Sequence, residues 1–479
     1  MDPIFDLAID LPPRGSRSIL QALHGQLRAA ILDGRLKPDL RLPATRVLAE
    51  ALGVSRNTAV ATYDLLLAEG YLVARPGSGT YVADMLPRQR ASVPTEATAG
   101  DKRLSPFWRD PPAVIRMDGT AVRDDFRVGL SDKGPFPFEI WRRLSARALR
   151  GLSKVPAAYA PAEGRPALRA AIAKHISFAR AVAAEAGDVI VTSGAQQAFD
   201  LLARVLVSPG MVVAVEEPGY PPMRNAFAAA GARIVGVPID AEGLMVDRLP
   251  PGARIICVTP SHQFPLGPAM SPPRRAALLD HARSTGAVVI EDDYDGEFRF
   301  SGRPLEALQT LDRGDCVFYV GTFSKSLFPA LRLGFVVTPG WARVALTAAK
   351  QHADWHGPVL AQDTLAAFID DGHLARHVRK MRKIYGERRQ RLIDAIAQHC
   401  GGWLQPIPGA AGLHLAARLD PAIDARLMVE RALARGIRTQ SLARYAIEPG
   451  APNGLTFGFG MIATERIEPA IRQLAKVRP

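Results

Sequence analysis

The stretch from residue 317 to residue 337, VFYVGTFSKSLFPALRLGFVV, decides the fold of most of this chain. Its two apolar runs, Val317–Val320 and Gly334–Val337, have the length and β-branched content of buried strands. The turn between them carries groups that can bind a phosphate, namely Thr322, Ser324, Lys325 and Arg332. An isolated lysine is usually a solvated surface residue, but this lysine follows a buried strand, where ligands gather in open α/β sheets. The stretch therefore predicts an α/β fold with a ligand site at a strand end.

Similar short apolar runs recur on the N-terminal side and alternate with longer helices rich in Ala, Leu and Arg. The further strand candidates are Val189–Val191, Val212–Val215, Ile255–Val258 and Val288–Ile290. Such alternation predicts a large α/β domain with a mostly parallel sheet over residues 114–479. Residues 84–113 are rich in Pro, Ser, Thr and charge without an apolar period, which predicts a linker. Residues 15–83 then form a separate, largely helical domain.

Two other segments of the α/β domain carry polar groups at predicted strand ends. VIVTSGAQQA (189–198) runs from a strand through a glycine turn into a helix, whose first backbone N–H groups could bind a phosphate. VVIEDDYDGE (288–297) ends a strand in several carboxylates and a tyrosine. Alone, the first segment is a common α/β turn, and the second could be a metal site or a solvated turn. No convergent set of metal ligands is evident from the sequence, so no metal is expected.

Together the three segments supply what pyridoxal phosphate (PLP) requires of a protein. PLP needs a lysine amine for a Schiff base and a carboxylate that keeps its ring nitrogen protonated. It also needs phosphate donors and an aromatic ring against its pyridine. The amine can come from Lys325 and the carboxylate from Asp292. The phosphate donors can come from the Ser193–Gln197 turn and the aromatic ring from Tyr220, while Tyr294 can donate a hydrogen bond to the ring oxygen.

The N-terminal domain has the pattern of a winged helix-turn-helix. One helix is predicted from Ser18 to Asp33 and a second after Pro43, and Gly53 makes the turn to a third helix capped by Ser55. The predicted inner face of the third helix consists of Ala59, Val60, Tyr63, Leu66 and Leu67. The runs Tyr71–Ala74 and Thr80–Ala83 flank a basic, glycine-rich tip, Arg75–Gly79. The pattern favours DNA binding, with Arg56 and Asn57 at the start of a recognition helix, over a merely packed small domain.

The N-terminal stretch resembles the GntR-type winged helix in the following matches: Arg41–Pro43, Arg46, Leu48-Ala49, Leu52-Gly53, Ser55-Arg56, Thr58, Glu69-Gly70 and Gly77–Val82. The rest resembles fold-type I aminotransferases, through TPSHQFPLG (259–267), EDDYDGEFR (291–299) and GTFSKSLFPALRLG (321–334). The whole chain thus resembles the MocR/GabR-type bacterial transcriptional regulators over residues 15–475.

The resemblance implies a role for each matching residue. It implies that Lys325 forms the Schiff base, that Asp292 faces the ring nitrogen, that Tyr294 contacts the ring oxygen and that Tyr220 stacks on the ring. It implies phosphate binding by Ala195, Gln196, Thr322, Ser324 and Arg332. It implies DNA contacts by the second helix, by the start of the recognition helix and by the wing, for which the candidates are Arg46, Ser55, Arg56, Asn57, Thr58, Arg75, Gly77 and Gly79.

One position departs from the family. Related chains often have an arginine near the C-terminal strand that grips an amino-acid carboxylate, whereas Thr456 holds that place here. A fixed two-pronged carboxylate clamp is therefore not predicted, and Arg444 is a nearby substitute. The effector is expected to be an amino compound or PLP itself.

Three functions remain open from the sequence. The favoured one is a PLP-dependent DNA-binding regulator that senses an amino compound without needing turnover. The others are an active aminotransferase that carries a DNA-binding domain, and a DNA-binding regulator whose large domain is a relic scaffold. The resemblance further implies a head-to-tail homodimer that binds a DNA operator. The acidic N-terminus, three distant cysteines and absence of a long apolar run predict a cytoplasmic, nucleoid-associated protein with no membrane partner.

The charge is unevenly distributed along the chain. The net charge is +13, which suggests an anionic partner such as nucleic acid, yet residues 1–90 hold 11 bases and 9 acids. Residues 371–391 hold 8 bases and 2 acids. Such a run is usually a solvated helix face, but it could also add phosphate contacts to bound DNA.

Overall fold

The computed structural model describes residues 7, 9–13, 16, 18–84, 102–112, 122–302, 306–448, 450 and 452–478. The chain divides into two compact units, Met1–Ala99 and Gly100–Pro479. The division falls within the predicted linker, of which residues 85–101 and 113 lie outside the described part. Across the described ranges, no helix has the length and apolar character needed to cross a membrane.

The first unit is a three-helix domain with a β-hairpin. Its elements are α1 (Ile19–Leu32), α2 (Thr45–Leu52), α3 (Arg56–Ala68), β1 (Leu72–Arg75) and β2 (Gly79–Val82). The two strands pair antiparallel, with Arg75 opposite Gly79, so that residues 76–78 form the tip of the predicted wing. The helices pack around a small core that includes Leu23, Leu27, Leu48 and Leu66.

The turn between α2 and α3 forms as the sequence predicts. Gly53 ends α2 in the left-handed conformation (φ 64°), which a side chain would disfavour. The Ser55 side chain caps α3 by accepting a hydrogen bond from the backbone N–H of Thr58 at 3.0 Å. In addition, the Tyr63 hydroxyl donates to the Pro43 carbonyl at 2.9 Å and holds α3 against the start of α2.

Two details of this unit differ from the sequence-based prediction. Val60 is 37% exposed, and Thr62 is buried in its place, because the inner stripe of α3 follows residues 59, 62, 63 and 66. The Thr62 hydroxyl is satisfied by donation to the Thr58 carbonyl, so burial costs it no hydrogen bond. Ser18 does not cap α1, because its hydroxyl lies 2.7 Å from that of Ser16 and its own backbone is helical.

The second unit is built on an eight-stranded, mostly parallel sheet. Its strands are β4 (Val189–Thr192), β5 (Val212–Glu217), β6 (Arg233–Asp240), β7 (Gly243–Leu244), β8 (Ile255–Val258), β9 (Val288–Asp293), β10 (Val317–Thr322) and β11 (Gly334–Val337). The spatial order is β4-β11-β10-β9-β8-β5-β6-β7, in which β11 and β7 run antiparallel to their neighbours. All six predicted strands form. The sequence analysis missed β6, since Gly236 and Pro238 interrupt its apolar pattern.

Helices cover both faces of this sheet. Those of the second unit are α4 (Pro106–Arg109), α5 (Phe138–Leu152), α6 (Pro166–Arg180), α7 (Ala195–Leu206), α8 (Pro221–Ala229), α9 (Pro272–Thr285), α10 (Leu308–Leu311), α11 (Arg343–Asp354), α12 (Val359–Asp370), α13 (His373–Cys400), α14 (Ala425–Ala434) and α15 (Thr464–Ala475). Side chains alternate along β4: Val189 and Val191 join the core with α6 and α12, whereas Ile190 joins the core with α7 and α8. This two-sided burial explains why the strands are apolar runs without alternation.

Two smaller sheets complete the second unit. Strands β12 (Leu404–Pro406), β13 (His414–Leu419), β15 (Gln440–Ser441) and β16 (Gly454–Gly458) form one of them, in the order β12-β13-β16-β15. The other pairs β3 (Asp124–Asp125) with β14 (Ile437–Arg438) in parallel. The four-stranded sheet contributes His414 and Gln440 to the cavity described below.

The carboxyl edge of the large sheet holds buried acidic groups. Glu216, near the end of β5, accepts a hydrogen bond from the Thr259 hydroxyl at 2.5 Å. Its other oxygen, Oε1, has no hydrogen-bond partner among the described residues. Burial therefore raises the pKa of Glu216 from 4.5 to about 7.

We expect Glu216→Gln to make the second unit less sensitive to pH. In the wild-type protein the unfolded chain loses this proton near pH 4.5 and the folded chain holds it to about pH 7, so folding stability falls as the pH rises between these values. The variant lacks this loss and should gain roughly 3 kcal/mol over the wild type above pH 7. Denaturant unfolding from pH 4 to pH 8 measures the difference, with the exposed Glu430→Gln as control. A wild-type–variant difference that does not grow with pH contradicts the assignment.

Candidate cofactor site and DNA-binding surface

All nine residues predicted to bind the cofactor line one cavity of about 370 Å³ in the second unit. They are Ala195, Gln196, Tyr220, Asp292, Tyr294, Thr322, Ser324, Lys325 and Arg332. They come from five separate places in the chain, and the cavity lies at the carboxyl edge of the sheet. Parallel strands place their ends together at such an edge, which is where α/β proteins bind ligands.

Lys325 follows β10 and reaches into this cavity. Its Nζ donates a hydrogen bond to the Gly129 carbonyl at 2.5 Å. Burial lowers the pKa of Lys325 below its usual value, although the nearby Asp295 and Asp292 act in the opposite direction. A lowered pKa increases the fraction of neutral amine, which is the nucleophilic form.

Asp292 near the end of β9 is only 3% exposed. Burial, together with the charges of Asp293 and Asp295, raises its pKa well above the usual value. Its Oδ1 atom has no hydrogen-bond partner within the described part of the chain. A buried carboxylate oxygen without a partner is unfavourable, and the N–H of a pyridinium ring would supply the missing donor. The residues present therefore fit the ring nitrogen of PLP.

An anion cradle lies where α7 begins. The Arg332 guanidinium donates to the Ser193 carbonyl at 2.6 Å, and a Cβ atom at Gly194 would come within 2.7 Å of Arg332 Nη2. Nearby, the Thr322 hydroxyl donates to Ser324 Oγ at 3.0 Å. The free N–H groups of a helix start, a guanidinium and two hydroxyls are together suited to a phosphate. The close packing also explains the need for glycine at position 194.

Tyr294 is held by a buried polar cluster that the sequence analysis did not identify. Its hydroxyl lies 2.9 Å from His262 Nδ1, and the same nitrogen is 3.1 Å from an oxygen of Asp295. The His414 ring lies 4.7 Å from that of His262, and His414 Nε2 is 3.0 Å from the Pro265 carbonyl. His262 and Asp295 fall within quoted motifs, but His414 stands in an apolar strand and carried no signal.

The same three side chains could in principle hold a metal ion. Their ligand atoms, from His262, Asp295 and His414, lie within 4.8 Å of one another. His262 Nδ1 and His414 Nε2 already have protein partners, so the hydrogen bonds account for the cluster as it stands. The expectation that no metal is required stays a prediction.

Tyr220 closes one side of the cavity. Its ring makes edge-to-face contacts with Phe264 at 5.2 Å and Phe199 at 6.5 Å, measured between ring centroids. Burial raises its pKa, so the hydroxyl stays protonated at neutral pH. The ring is thus fixed by packing beside the space that the cofactor would occupy.

The candidate DNA-contacting residues lie on the surface of the first unit. Arg46 in α2 and Arg56 and Asn57 in the first turn of α3 are exposed. Two of the predicted DNA contacts, Ser55 and Thr58, also have structural roles: Ser55 caps α3, and its Oγ lies 2.8 Å from the Thr58 hydroxyl. Each hydroxyl would therefore contact DNA only with a hydrogen bond that this pairing leaves unused.

The wing is shaped by its glycines and by Arg75. Gly77 (φ 76°) and Gly79 (φ 118°) adopt backbone conformations that other residues rarely take. Arg75 lies over the Tyr81 ring at 4.5 Å and forms an ion pair with Asp39. Its exposed guanidinium is thereby held in one orientation at the base of the hairpin tip.

From His373 onward, the basic segment 371–391 forms the first part of the long helix α13. Its exposed basic residues are Arg376, Arg379, Lys380, Arg382, Lys383 and Arg391. Arg382 donates twice to the Glu297 carbonyl, and Arg388 is buried in an ion pair with Asp132 at 2.6 Å. The segment thus divides into structural arginines and a basic outer face, which we define as Arg379, Lys380 and Lys383.

Comparisons with known proteins match both units. Residues 131–463 match the family model for aminotransferase class I and II, and residues 20–82 match the one for bacterial regulatory proteins, gntR family. The probable rhizopine catabolism regulatory protein MocR of Rhizobium meliloti is 38% identical over 94% of this chain and 92% of its own. The pyridoxine biosynthesis transcriptional regulator PdxR of Corynebacterium glutamicum is 33% identical over 95% of each chain.

A solved structure confirms the fold of the second unit. The kynurenine aminotransferase of Pyrococcus horikoshii, determined in complex with PMP, has a TM-score of 0.70 and 28% identity over 75% of this chain and 91% of its own. The family matches also confirm the predicted order of the two domain types along the chain. The chain therefore belongs to the MocR-type family of transcriptional regulators, in which a gntR-type DNA-binding domain is joined to an aminotransferase domain of class I and II.

Proposed function

We propose that this regulator binds PLP in the cavity of its second unit and uses it to sense a primary amino compound. The observation that carries the proposal is the convergence of Lys325, the unpartnered Oδ1 of Asp292 and the cradle at α7 on one cavity. When bound, PLP supplies an electrophilic carbon to which a primary amine can add. The alternative is that PLP itself is the effector, in which case added PLP alone changes operator binding and added amines do not.

In this proposal each residue has a defined task. Lys325 holds the cofactor through its amine, and Asp292 accepts a hydrogen bond from the ring nitrogen. Tyr294, oriented by His262, donates to the ring oxygen, and Tyr220 packs against the ring. The phosphate is held by Ala195, Gln196, Thr322, Ser324 and Arg332. An amine that competes with Lys325 for the same position releases the lysine side chain, which can then adopt a new set of contacts.

Sensing requires that the two states of the second unit differ in their affinity for the amine. A ligand that binds two states equally shifts no equilibrium, however tightly it binds. Turnover is not required for such a switch. Sustained conversion of an amino donor and a keto acid by the purified protein would instead favour the active aminotransferase.

We further propose a head-to-tail homodimer that acts on a DNA operator in the cytoplasm, in association with the nucleoid. The similarity to named transcriptional regulators over nearly the whole chain supports action on a DNA operator. The mass in solution, by light scattering, tests the dimer directly.

We expect Lys325→Ala to abolish the cofactor-dependent response. The purified wild type should show the visible absorption of a PLP Schiff base, and amines should change both that absorption and operator binding. The variant should lose the absorption and the amine response, because no lysine amine remains in the cavity. The exposed Lys174→Ala, on α6, is the control. A variant that responds normally to effector supports the relic-scaffold alternative, and a wild type that stays colourless with added PLP contradicts the proposal.

We expect Arg56→Ala to weaken operator binding by about 1–3 kcal/mol, since a recognition helix uses its first turn for base and phosphate contacts. Fluorescence anisotropy with an operator selected from random DNA measures the loss. The exposed Arg35→Ala in the same unit is the control, because Arg35 lies after the end of α1 and forms an ion pair with Asp33. An Arg56 variant with wild-type affinity contradicts the placement of α3 on DNA.

We also propose that the basic outer face of α13 contacts DNA phosphates. Changing Arg379, Lys380 and Lys383 together to Gln should lower the slope of log affinity against log salt by roughly 2–3, because each neutralised phosphate contact contributes about 0.9. Arg382 is kept because of its bonds to the Glu297 carbonyl. The matched control changes three exposed arginines on or next to α14, namely Arg426, Arg431 and Arg435. An unchanged slope in the α13 variant contradicts the contact.

A further inference from the structure

A buried polar cluster beside Tyr294 joins three parts of the second unit at the edge of the cavity. His262 follows β8, Asp295 follows β9, and His414 begins β13 of the four-stranded sheet. These three residues are at most 4% exposed, and Asp295 and His414 line the cavity. Polar groups are buried this completely where their hydrogen bonds are made, so the bonds of the cluster indicate its task.

The backbone at the start of β13 holds His262 and Asp295 in one arrangement. A Cβ atom at Gly412 (φ 90°) would overlap the His262 ring and lie 2.8 Å from Asp295 Oδ2, so only glycine fits at this position. The next residue, Leu413, donates its backbone N–H to the same Asp295 oxygen at 3.2 Å. The imidazole and the carboxylate are therefore fixed relative to each other before any ligand binds.

The contacts of His262 decide which of its ring nitrogens carries a proton. Nδ1 lies 3.2 and 3.1 Å from the two oxygens of Asp295. A carboxylate accepts hydrogen bonds and has no proton to donate, so the proton between the two groups belongs to Nδ1. The Tyr294 hydroxyl oxygen, 2.9 Å from the same nitrogen, then faces an N–H group and accepts a share of its hydrogen bond.

This arrangement directs the proton of Tyr294 away from the imidazole. The hydroxyl donates instead to the His262 carbonyl at 3.1 Å. Burial raises the pKa of Tyr294 well above its usual value, so the hydroxyl keeps its proton. The Phe264 ring lies edge-on to the Tyr294 ring, with centroids 6.0 Å apart, and limits its movement. Since Tyr294 lines the cavity, rotation of the O–H bond alone can direct the proton to an acceptor there.

We propose that His262 is a positioning residue, which directs the Tyr294 proton to the ring oxygen of PLP and strengthens that hydrogen bond. This inference rests on the proposed function, because it assumes that the ring oxygen lies beside Tyr294. A hydroxyl that accepts a bond from an N–H group is polarised and becomes a stronger donor. A stronger bond to the ring oxygen reduces the negative charge that favours a proton on the Schiff-base nitrogen. His262 thus lowers the pH at which that proton is lost.

Other charged groups act on the same proton and have to be separated from the effect of His262. The charged groups that face Lys325 are Asp292, Asp295 and Arg332. Replacing His262 also removes a hydrogen bond from Asp295, whose charge acts on Lys325 directly. His414 does not titrate near neutral pH, because burial lowers its pKa to about 3. Measuring the same His262 variant with and without the Tyr294 hydroxyl separates the two routes.

The test is a pH titration of the visible absorption of the PLP-loaded full chain. Tyr294→Phe should raise the midpoint by about 1–2 pH units, as expected for loss of a hydrogen bond to a charged group. His262→Phe keeps a ring but removes the N–H group, and should raise the midpoint by roughly 0.5 pH unit. His262→Asn can place an amide N–H near the position of Nδ1 and should stay within about 0.2 pH unit of the wild type. The control His377→Phe replaces a buried histidine of α13 that does not line the cavity, and should leave the midpoint unchanged.

The decisive comparison is His262→Phe in the Tyr294→Phe background, where it should not move the midpoint further. If His262→Phe does not load PLP, His262→Ala repeats the comparison without a ring against Gly412. An equal rise with and without the Tyr294 hydroxyl overturns the proposal, because His262 would then act through Asp295 or the fold. An unchanged midpoint in the single His262 variant overturns it as well.

Two further outcomes separate this proposal from the function on which it rests. If Tyr294→Phe itself leaves the midpoint unchanged, the assignment of Tyr294 to the ring oxygen is wrong, and the role of His262 falls with it. A wild type that stays colourless with added PLP contradicts cofactor binding itself, whatever the His262 variants do.

Discussion

The parallel pairing of β9 with β10 is the constraint on which the rest of the second unit depends. It places Asp292 opposite Val320, so that the end of β9 and the turn carrying Lys325 meet at the same edge of the sheet. Because helices cover both faces of the sheet, this edge is one of the few places where polar side chains of the strands can reach a cavity or solvent. The position of the cavity follows from this register.

Burial at this edge makes each carboxylate dependent on a partner. Glu291 accepts two backbone N–H bonds at 3.0 Å, from Leu308 and Gln309. Asp293 forms a buried ion pair with Arg180 at 2.6 Å. Asp292 between them keeps one oxygen without a partner in the described part of the chain, and that residue lines the cavity. Asp293 Oδ1 also lacks a partner there, so Asp292 differs from its two neighbours in that it alone of the three lines the cavity, and buried acids of this kind are typical of functional sites.

The charge of the protein has a different distribution from the one that a DNA-binding domain would suggest. The first unit is nearly neutral overall, and its predicted DNA contacts rest on geometry: the αL turn at Gly53, the capped start of α3 and the glycine-shaped wing. The excess of bases lies in the second unit, where it divides between structural arginines, the basic outer face of α13 and the arginines of the cavity wall. A net charge alone could not separate these groups.

The sequence by itself determined the two domain types, the six apolar strands of the large sheet and nine of the residues that line the cavity, because strand ends and glycine turns are local features with local signals. It was wrong about Val60 and Ser18, where the choice between burial and exposure, or between two hydrogen-bond partners, depends on neighbouring elements. Only the tertiary structure placed the His414 ring against that of His262, which lies about 150 residues earlier in the chain. It also brought Arg127 into the lining of the same cavity as Gln440 and Arg444. Contacts across such separations arise from the packing of whole sheets, which no short segment of sequence encodes.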